Sequence, residues 1–128
     1  MGKVLGVGID LEPVASFRRK KPSTDRRFFE RLFSEREIAY CLKFRDPAPR
    51  FAARFCAKEA IVKAVGSRFP LNVFDCEIRN DRNGAPNVFP RSKKAKLRAF
   101  FARHKIQLSI SHTDDTAVAV AILVTKKS

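Results

Sequence analysis

The sequence predicts an α+β fold, in which an antiparallel sheet wraps around one long central helix. Three observations carry that prediction. Phe51 to Gly66, FAARFCAKEAIVKAVG, is alanine-rich, reads as about four helical turns and ends on a natural stop, Gly66. Short β-type runs stand at Val4–Asp10, Val73–Arg79, Ile106–Ser111 and Ala117–Val124. Asn83-Gly84 is a tight-turn signal between two extended pieces, which makes Phe74 to Phe89 a β-hairpin. Strands joined this way, with helices set apart from them, suit an antiparallel sheet.

The elements follow in order. Val4 to Asp10 (VLGVGID) is a buried strand ending on a carboxylate, and Gly6 and Gly8 permit close approach of another backbone. Asp10 is read in two ways from this segment. It caps a helix over Pro13 to Lys21, with Glu12 and Pro13 in the first turn, or it is a metal ligand. Thr24 or Asp25 caps a short helix, RRFFERLF. Ser34-Glu35-Arg36-Glu37 is a capping box that opens a helix to about Phe44. Arg45 to Pro49 turns the chain into the central helix. Beyond Gly66, the loop SRFPLN leads to the hairpin, and Ser92 to Arg103 is a basic helix. Ile106 to Ser111 alternates apolar and polar residues. The unbroken apolar run Ala117 to Val124 predicts a closing strand buried on both faces, and Lys126 to Ser128 a solvated tail.

At 128 residues the chain fits one domain spanning 1–128. Apolar residues make up 45%, with twelve Phe and no Trp, which is globular composition. No apolar run reaches a membrane span of about 20 residues, and the N-terminus lacks the apolar core of a signal peptide. Cys41, Cys56 and Cys76 are odd in number and widely spaced, and they read as reduced thiols of a cytoplasmic protein. The net charge is +14, from 27 Lys and Arg against 13 Asp and Glu, and implies an anionic partner.

The central helix concentrates the candidate chemistry. Phe51, Phe55 and Val62 form a bulky face, and Ala53, Ala57, Ala60 and Ala64 a small one roughly opposite. Glu59 and Lys63 lie between them, four residues apart, so they project to one place. Such a pair is either an ordinary helix salt bridge or a seat for a divalent cation and a phosphate. Of the two histidines, His104 sits at a basic helix end, and His112 ends a strand in SISHTDD as a turn residue or a proton- or phosphate-handling group. No Walker-type GxxxxGK[ST], GxGxxG or GxSxG motif is present.

Three segments, VLGVGIDLEPV, FAARFCAKEAIVKAVG and LSISHTDDTAVAVAIL, together with FFERLFSEREI and NGAP, resemble in order the holo-acyl-carrier-protein synthase type of 4′-phosphopantetheinyl transferase. The resemblance spans essentially the whole chain. It implies that Asp10 and Glu59 hold Mg²⁺, or alternatively Mn²⁺, that Lys63 neutralises the attacked phosphate, and that Lys58, Ser111 and His112 contact coenzyme A. The implied reaction moves the 4′-phosphopantetheine arm of coenzyme A to a serine of an apo acyl carrier protein and releases adenosine 3′,5′-bisphosphate. The base that takes the serine proton is a metal-activated water, Glu59 or Glu37. Arg18, Arg19, Arg26 and Arg27 fall where the family docks its acidic carrier. Two departures stand out. Ser16 replaces the family's usual arginine, and the loop Ser67 to Pro70 is short, with Arg68 expected to supply charge near the phosphates. The resemblance also implies a homotrimer with sites between subunits, and no nucleic-acid or membrane partner. The alternative reading, from charge alone, is a basic nucleic-acid-binding module.

Overall fold

The structure is a computed structural model that describes residues 2–126; Lys127 and Ser128 of the expected tail lie outside the described residues. The elements are β1 (Val4–Pro13), α1 (Ala15–Arg18), α2 (Arg26–Leu32), α3 (Glu35–Leu42), α4 (Ala48–Val65), β2 (Cys76–Asn80), β3 (Pro86–Pro90), α5 (Ala95–Arg103), β4 (His104–His112) and β5 (Thr116–Thr125). The α+β class and the central helix are as the sequence predicts.

The sheet differs from the expected one. Its order is β1-β5-β4, antiparallel throughout, and β2-β3 forms a separate hairpin. The predicted strand Val73–Arg79 splits. Val73–Asp75 is a 3-10 turn that Asn72 caps, with the Asn72 N–H donating to Asp75 Oδ2 at 2.8 Å. On β2, the Ile78 N–H donates to buried Glu37 Oε2 at 2.8 Å. A ladder donor of β2 is thus spent on α3 and not on a fourth strand.

Two boundaries also move. β1 continues to Pro13 because Glu12 and Pro13 still pair with Ala117 and Thr116. The helix expected over Pro13 to Lys21 is therefore a single turn, and Val14 precedes it as N-cap. Asp10 lies inside the strand opposite Ala119, which rules out the capping reading. The Ser34 capping box holds: Ser34 Oγ accepts from the Glu37 N–H at 3.2 Å, and Glu37 Oε1 from the Ser34 N–H at 2.9 Å. The closing strand is buried on one face only. Ala117, Ala119, Ala121 and Leu123 point inward, while Val118, Val120 and Ile122 are half-buried on the outer face.

α4 is held between two packings. Its small face meets β1, where glycine permits contact that no side chain would. A Cβ on Gly8 would lie 2.0 Å from Ala60 O, and one on Gly6 2.1 Å from Ala64 O. Its bulky face joins an aromatic cluster of Phe17, Phe28, Phe29, Phe33, Phe51 and Phe55, with ring centroids from 4.7 Å (Phe29–Phe51) to 6.5 Å (Phe17–Phe51). Gly66 ends the helix at φ 59°, a conformation L side chains resist. The rotation of α4 is thus fixed from both sides, and so is the direction of Glu59 and Lys63.

Candidate active site

Close packing of β1 on α4 brings strand carboxylates to helix side chains. Lys63 Nζ donates to Asp10 Oδ1 at 3.0 Å and to the Ile9 carbonyl at 3.1 Å. The expected helix salt bridge does not form: among the described residues Lys63 pairs with Asp10, and Glu59 has no side-chain hydrogen bond. The Asp10 side chain is only 10% exposed, and its Oδ2 is buried with no partner. Beneath it, the Cys56 thiol lies 3.1 Å from the Asp10 carbonyl and ties α4 to β1.

A third carboxyl belongs to the cluster. Glu12 follows Asp10 by two positions, which on a strand is the same face. Burial and the nearby negative charges of Asp10 and Glu59 push the Glu12 carboxyl up to about 7, against the pull of Lys63. Burial and Asp10 also raise Glu59. The hydrogen bond with Asp10 raises Lys63, which stays charged at neutral pH. The helix-cap reading of Pro13–Lys21 placed Glu12 in a first turn; the period-two alternation of β1 was the signal that could have found it.

The donor set fits a hard divalent cation. It offers carboxylate oxygens, one of them buried and unpaired, at a half-buried place beside a lysine. Among the described residues, no three Asp, Glu, His or Cys side chains stand close enough to hold an ion without other ligands. An ion here would complete its shell with water and substrate oxygens, which is how Mg²⁺ is commonly held.

His112 and Ser111 line a different cavity, of about 360 Å³, at the β4 edge of the sheet. Ala117 of β5 pairs with both Glu12 and His112, so the two stand across β5 from each other, roughly 10 Å apart by strand spacing. Arg50 and Arg54 complete the cavity with Tyr40 and Asn80. The Arg54 guanidinium is buried, donates to Asn80 Oδ1 at 2.6 Å, lies over the Tyr40 ring, and leaves its Nε unpaired. Sequence reasoning missed both arginines, although their i,i+4 spacing aims them at one place.

Other expected site residues lie elsewhere. Lys58 is fully buried behind α4, where Nζ donates to Glu37 Oε1 at 2.6 Å and to the Leu32 carbonyl at 2.7 Å. Burial lowers its pKa against the opposing pull of Glu37. No atom of this pair reaches the Asp10 cluster, and Glu37, with both oxygens committed in the core, leaves the set of candidate bases. Arg68 ends a 3-10 turn after α4, which carries it to the start of β1, where it donates to the Leu5 carbonyl at 3.0 Å. Arg18 is tied to Asp46 at 2.7 Å and to the Asp114 carbonyl, Arg26 pairs with Glu30 at 3.1 Å, and Arg19 and Arg27 are exposed. All three cysteines are buried and free, and burial pushes each thiol up to about 12, which makes them inert.

The chain is similar to known proteins over nearly its whole length. A holo-[acyl-carrier-protein] synthase of Clostridium kluyveri is 40% identical, covering 97% of this chain and 92% of its own. One of Protochlamydia amoebophila is 39% identical, covering 92% and 96%. Among solved structures, the holo-(acyl-carrier-protein) synthase of Bacillus anthracis in complex with CoA (3′,5′-ADP) superposes with a TM-score of 0.74 at 29% identity, covering 96% of this chain and 98% of that one. No helix among the described residues is long and apolar enough to cross a membrane. The nucleic-acid reading gains no support from these matches. The model of the 4′-phosphopantetheinyl transferase superfamily matches residues 6–121, and the chain belongs to that family.

Proposed function

We propose that this chain acts as a single-domain holo-[acyl-carrier-protein] synthase that transfers 4′-phosphopantetheine from coenzyme A to a serine of apo acyl carrier protein. The observation that carries the reading is the join of β1 and α4, where Asp10, Glu12, Glu59 and Lys63 share one half-buried place. Phosphoryl transfer of this kind needs positioning and charge neutralisation more than covalent chemistry.

Asp10 and Glu59 would hold Mg²⁺, or alternatively Mn²⁺. When bound, the ion neutralises and polarises the diphosphate of coenzyme A. Lys63 is half exposed, so its ammonium can leave Asp10 for the phosphate under attack and then for the departing adenosine 3′,5′-bisphosphate. Arg50, Arg54 and His112 suit the phosphate at the nucleotide end, with the spare Nε–H of Arg54 as a ready donor. Glu59 and Glu12 are the site carboxyls able to accept the serine proton, and burial makes both more basic than a free carboxylate.

The two halves of this machinery stand at opposite edges of one sheet, and β1 exposes Val7, Ile9 and Leu11 on its outer face. Both facts support a homotrimer in which one subunit supplies Asp10 and Glu59 and its neighbour the arginine cavity. Arg19, Arg26 and Arg27 would steer the acidic carrier, and an enzyme with these substrates would work in the cytoplasm. The test is mass spectrometry of an apo carrier protein incubated with the chain, coenzyme A and Mg²⁺. One phosphopantetheine is gained with the wild type and none with Glu59→Gln or with EDTA. No gain with any of several carriers would overturn the reading.

A further inference from the structure

The stretch from Arg82 to Thr113 contains eight Lys and Arg and no Asp or Glu. More than half of the chain's net charge of +14 thus comes from a quarter of its length. α5 lies in this stretch. Its apolar side, Leu97 and Phe100, is buried in the core, and its cations are exposed. No exposed large apolar residue belongs to α5, so it has nothing to insert into a bilayer.

Lys96 and Arg103, seven residues apart, lie on one side of α5. Opposite them stands Arg68, pinned by its bond to the Leu5 carbonyl at 3.0 Å. Together with His104, Phe69 and Phe100 they line a cavity of about 370 Å³ that has no acidic wall. None of Arg68, Lys96 and Arg103 forms an ion pair among the described residues. His104 is held in place: its ring stacks on Phe100 with centroids 4.2 Å apart, and Nδ1 lies 2.9 Å from the Phe100 carbonyl. A carbonyl oxygen only accepts, so Nδ1 carries the hydrogen and Nε2 is left over.

We propose that this cavity is a second anion site, separate from the coenzyme A machinery, that takes a small soluble phosphate ester or diphosphate. Three cations gathered without a protein counter-charge repel one another, and an anion shared among them relieves that repulsion. Arginine and lysine donors around one recess provide charge-assisted bonds to phosphate oxygens. The aromatic wall of Phe69 and Phe100 offers a flat face to whatever the phosphate carries. The site is not the nucleotide cavity, because His104 and His112 lie at opposite ends of β4, eight residues and roughly 26 Å apart.

The chain has two histidines, and each lies in a different cavity, so each imidazole reports its own site. The full chain is titrated with inorganic pyrophosphate, and the His104 and His112 ring-proton resonances are followed by NMR. The His104 resonance shifts with a saturation midpoint of its own. In the double variant Lys96→Gln/Arg103→Gln that midpoint weakens at least about tenfold, while the His112 shift and phosphopantetheine transfer persist. A His104 resonance that stays fixed, or that shifts equally in the variant, overturns the proposal. A parallel arm uses phosphatidylglycerol vesicles. Loss of the His104 signal on vesicles without a pyrophosphate response would assign the surface to lipid headgroups and overturn the soluble ligand. Failure of transfer with the His104 response intact would count against the proposed enzyme activity and not against this site.

Discussion

Glu12 sets the pH behaviour of the site, because its carboxyl is half-buried beside the negative charges of Asp10 and Glu59. The native Glu12 carboxyl is raised from 4.5 to about 7, so between those values the folded chain holds a proton that the unfolded chain has lost. Its contribution to stability is full below about 4.5 and is lost as pH rises to about 7. In metal-free protein, Glu12→Gln removes that part of the slope and is relatively stabilising at pH about 8, as denaturant unfolding at both ends of the window would measure. An unchanged slope would show that the native Glu12 carboxyl is not raised. The same crowding makes a cation welcome. Mg²⁺ at about a hundred times its Kd raises stability by about 2.7 kcal/mol in the wild type and by much less in Glu59→Gln. Thermal melts with and without EDTA check this. Asp10, Glu59 and Lys63 were legible in the sequence as residues, since a strand-end acid and an i,i+4 pair are local patterns. Their pairing was not, because Lys63 chooses Asp10 over Glu59 only when β1 approaches α4 at glycine distance.

Elements place those side chains, and two contacts govern the placement of α4. One is the buried Glu37–Lys58 pair, which joins α3, α4 and β2 through bonds of 2.6–2.9 Å. Lys58 precedes Glu59 on α4, about 100° round the helix, so anchoring the one aims the other. Lys58→Met leaves a buried carboxylate without its counter-ion and costs about 3–5 kcal/mol. A drop of Tm on the order of 10 °C checks this by calorimetry, and a shift within a degree or two would mean the pair is dispensable. The other contact is Gly8 on β1. In Gly8→Ala the new methyl would meet backbone atoms of α4, with Ala60 O at 2.0 Å and Ala64 N at 2.6 Å. The cost reaches or exceeds the ~1–3 kcal/mol of ordinary overpacking, and urea unfolding measures it. α2, α3, α4 and the hairpin were legible from caps, glycine punctuation and periodicity. The end of β1 was not, because Asp10-Leu11-Glu12-Pro13 has the chemistry of a helix start, and only pairing with β5 keeps it extended. The detachment of β2 was equally hidden, since it depends on Glu37, forty-one residues away, taking the Ile78 N–H.

For the whole molecule, the decisive surface is the outer face of the sheet. There Val7, Ile9 and Leu11 of β1 pair across the strands with Ile122, Val120 and Leu11's partner Val118 of β5, giving three apolar rows. Val7, Ile9 and Leu11 are each about 60% exposed or more, and no described residue covers them. Burying an aliphatic side chain of this size contributes about 1.5–3 kcal/mol, so three rows repeated in each copy are enough to drive association. Patterning exposes this face only once the register is known. In the sequence, Ala117 to Val124 reads as buried on both sides, and the second side is the one a neighbouring copy would cover. Ile9→Glu places a charge at the centre of the face, and sedimentation velocity should then find monomer for the variant and the proposed trimer for the wild type. The monomer keeps its own Asp10, Glu12, Glu59 and Lys63, so its Mg²⁺-dependent rise in Tm survives. On the proposed trimeric arrangement, transfer to the carrier falls by orders of magnitude with the loss of the neighbour's arginine cavity. A monomeric variant that transfers at the wild-type rate would mean that one chain carries the complete site. The roughly 10 Å across β5 between Glu12 and His112 would then have to be bridged by coenzyme A within a single subunit.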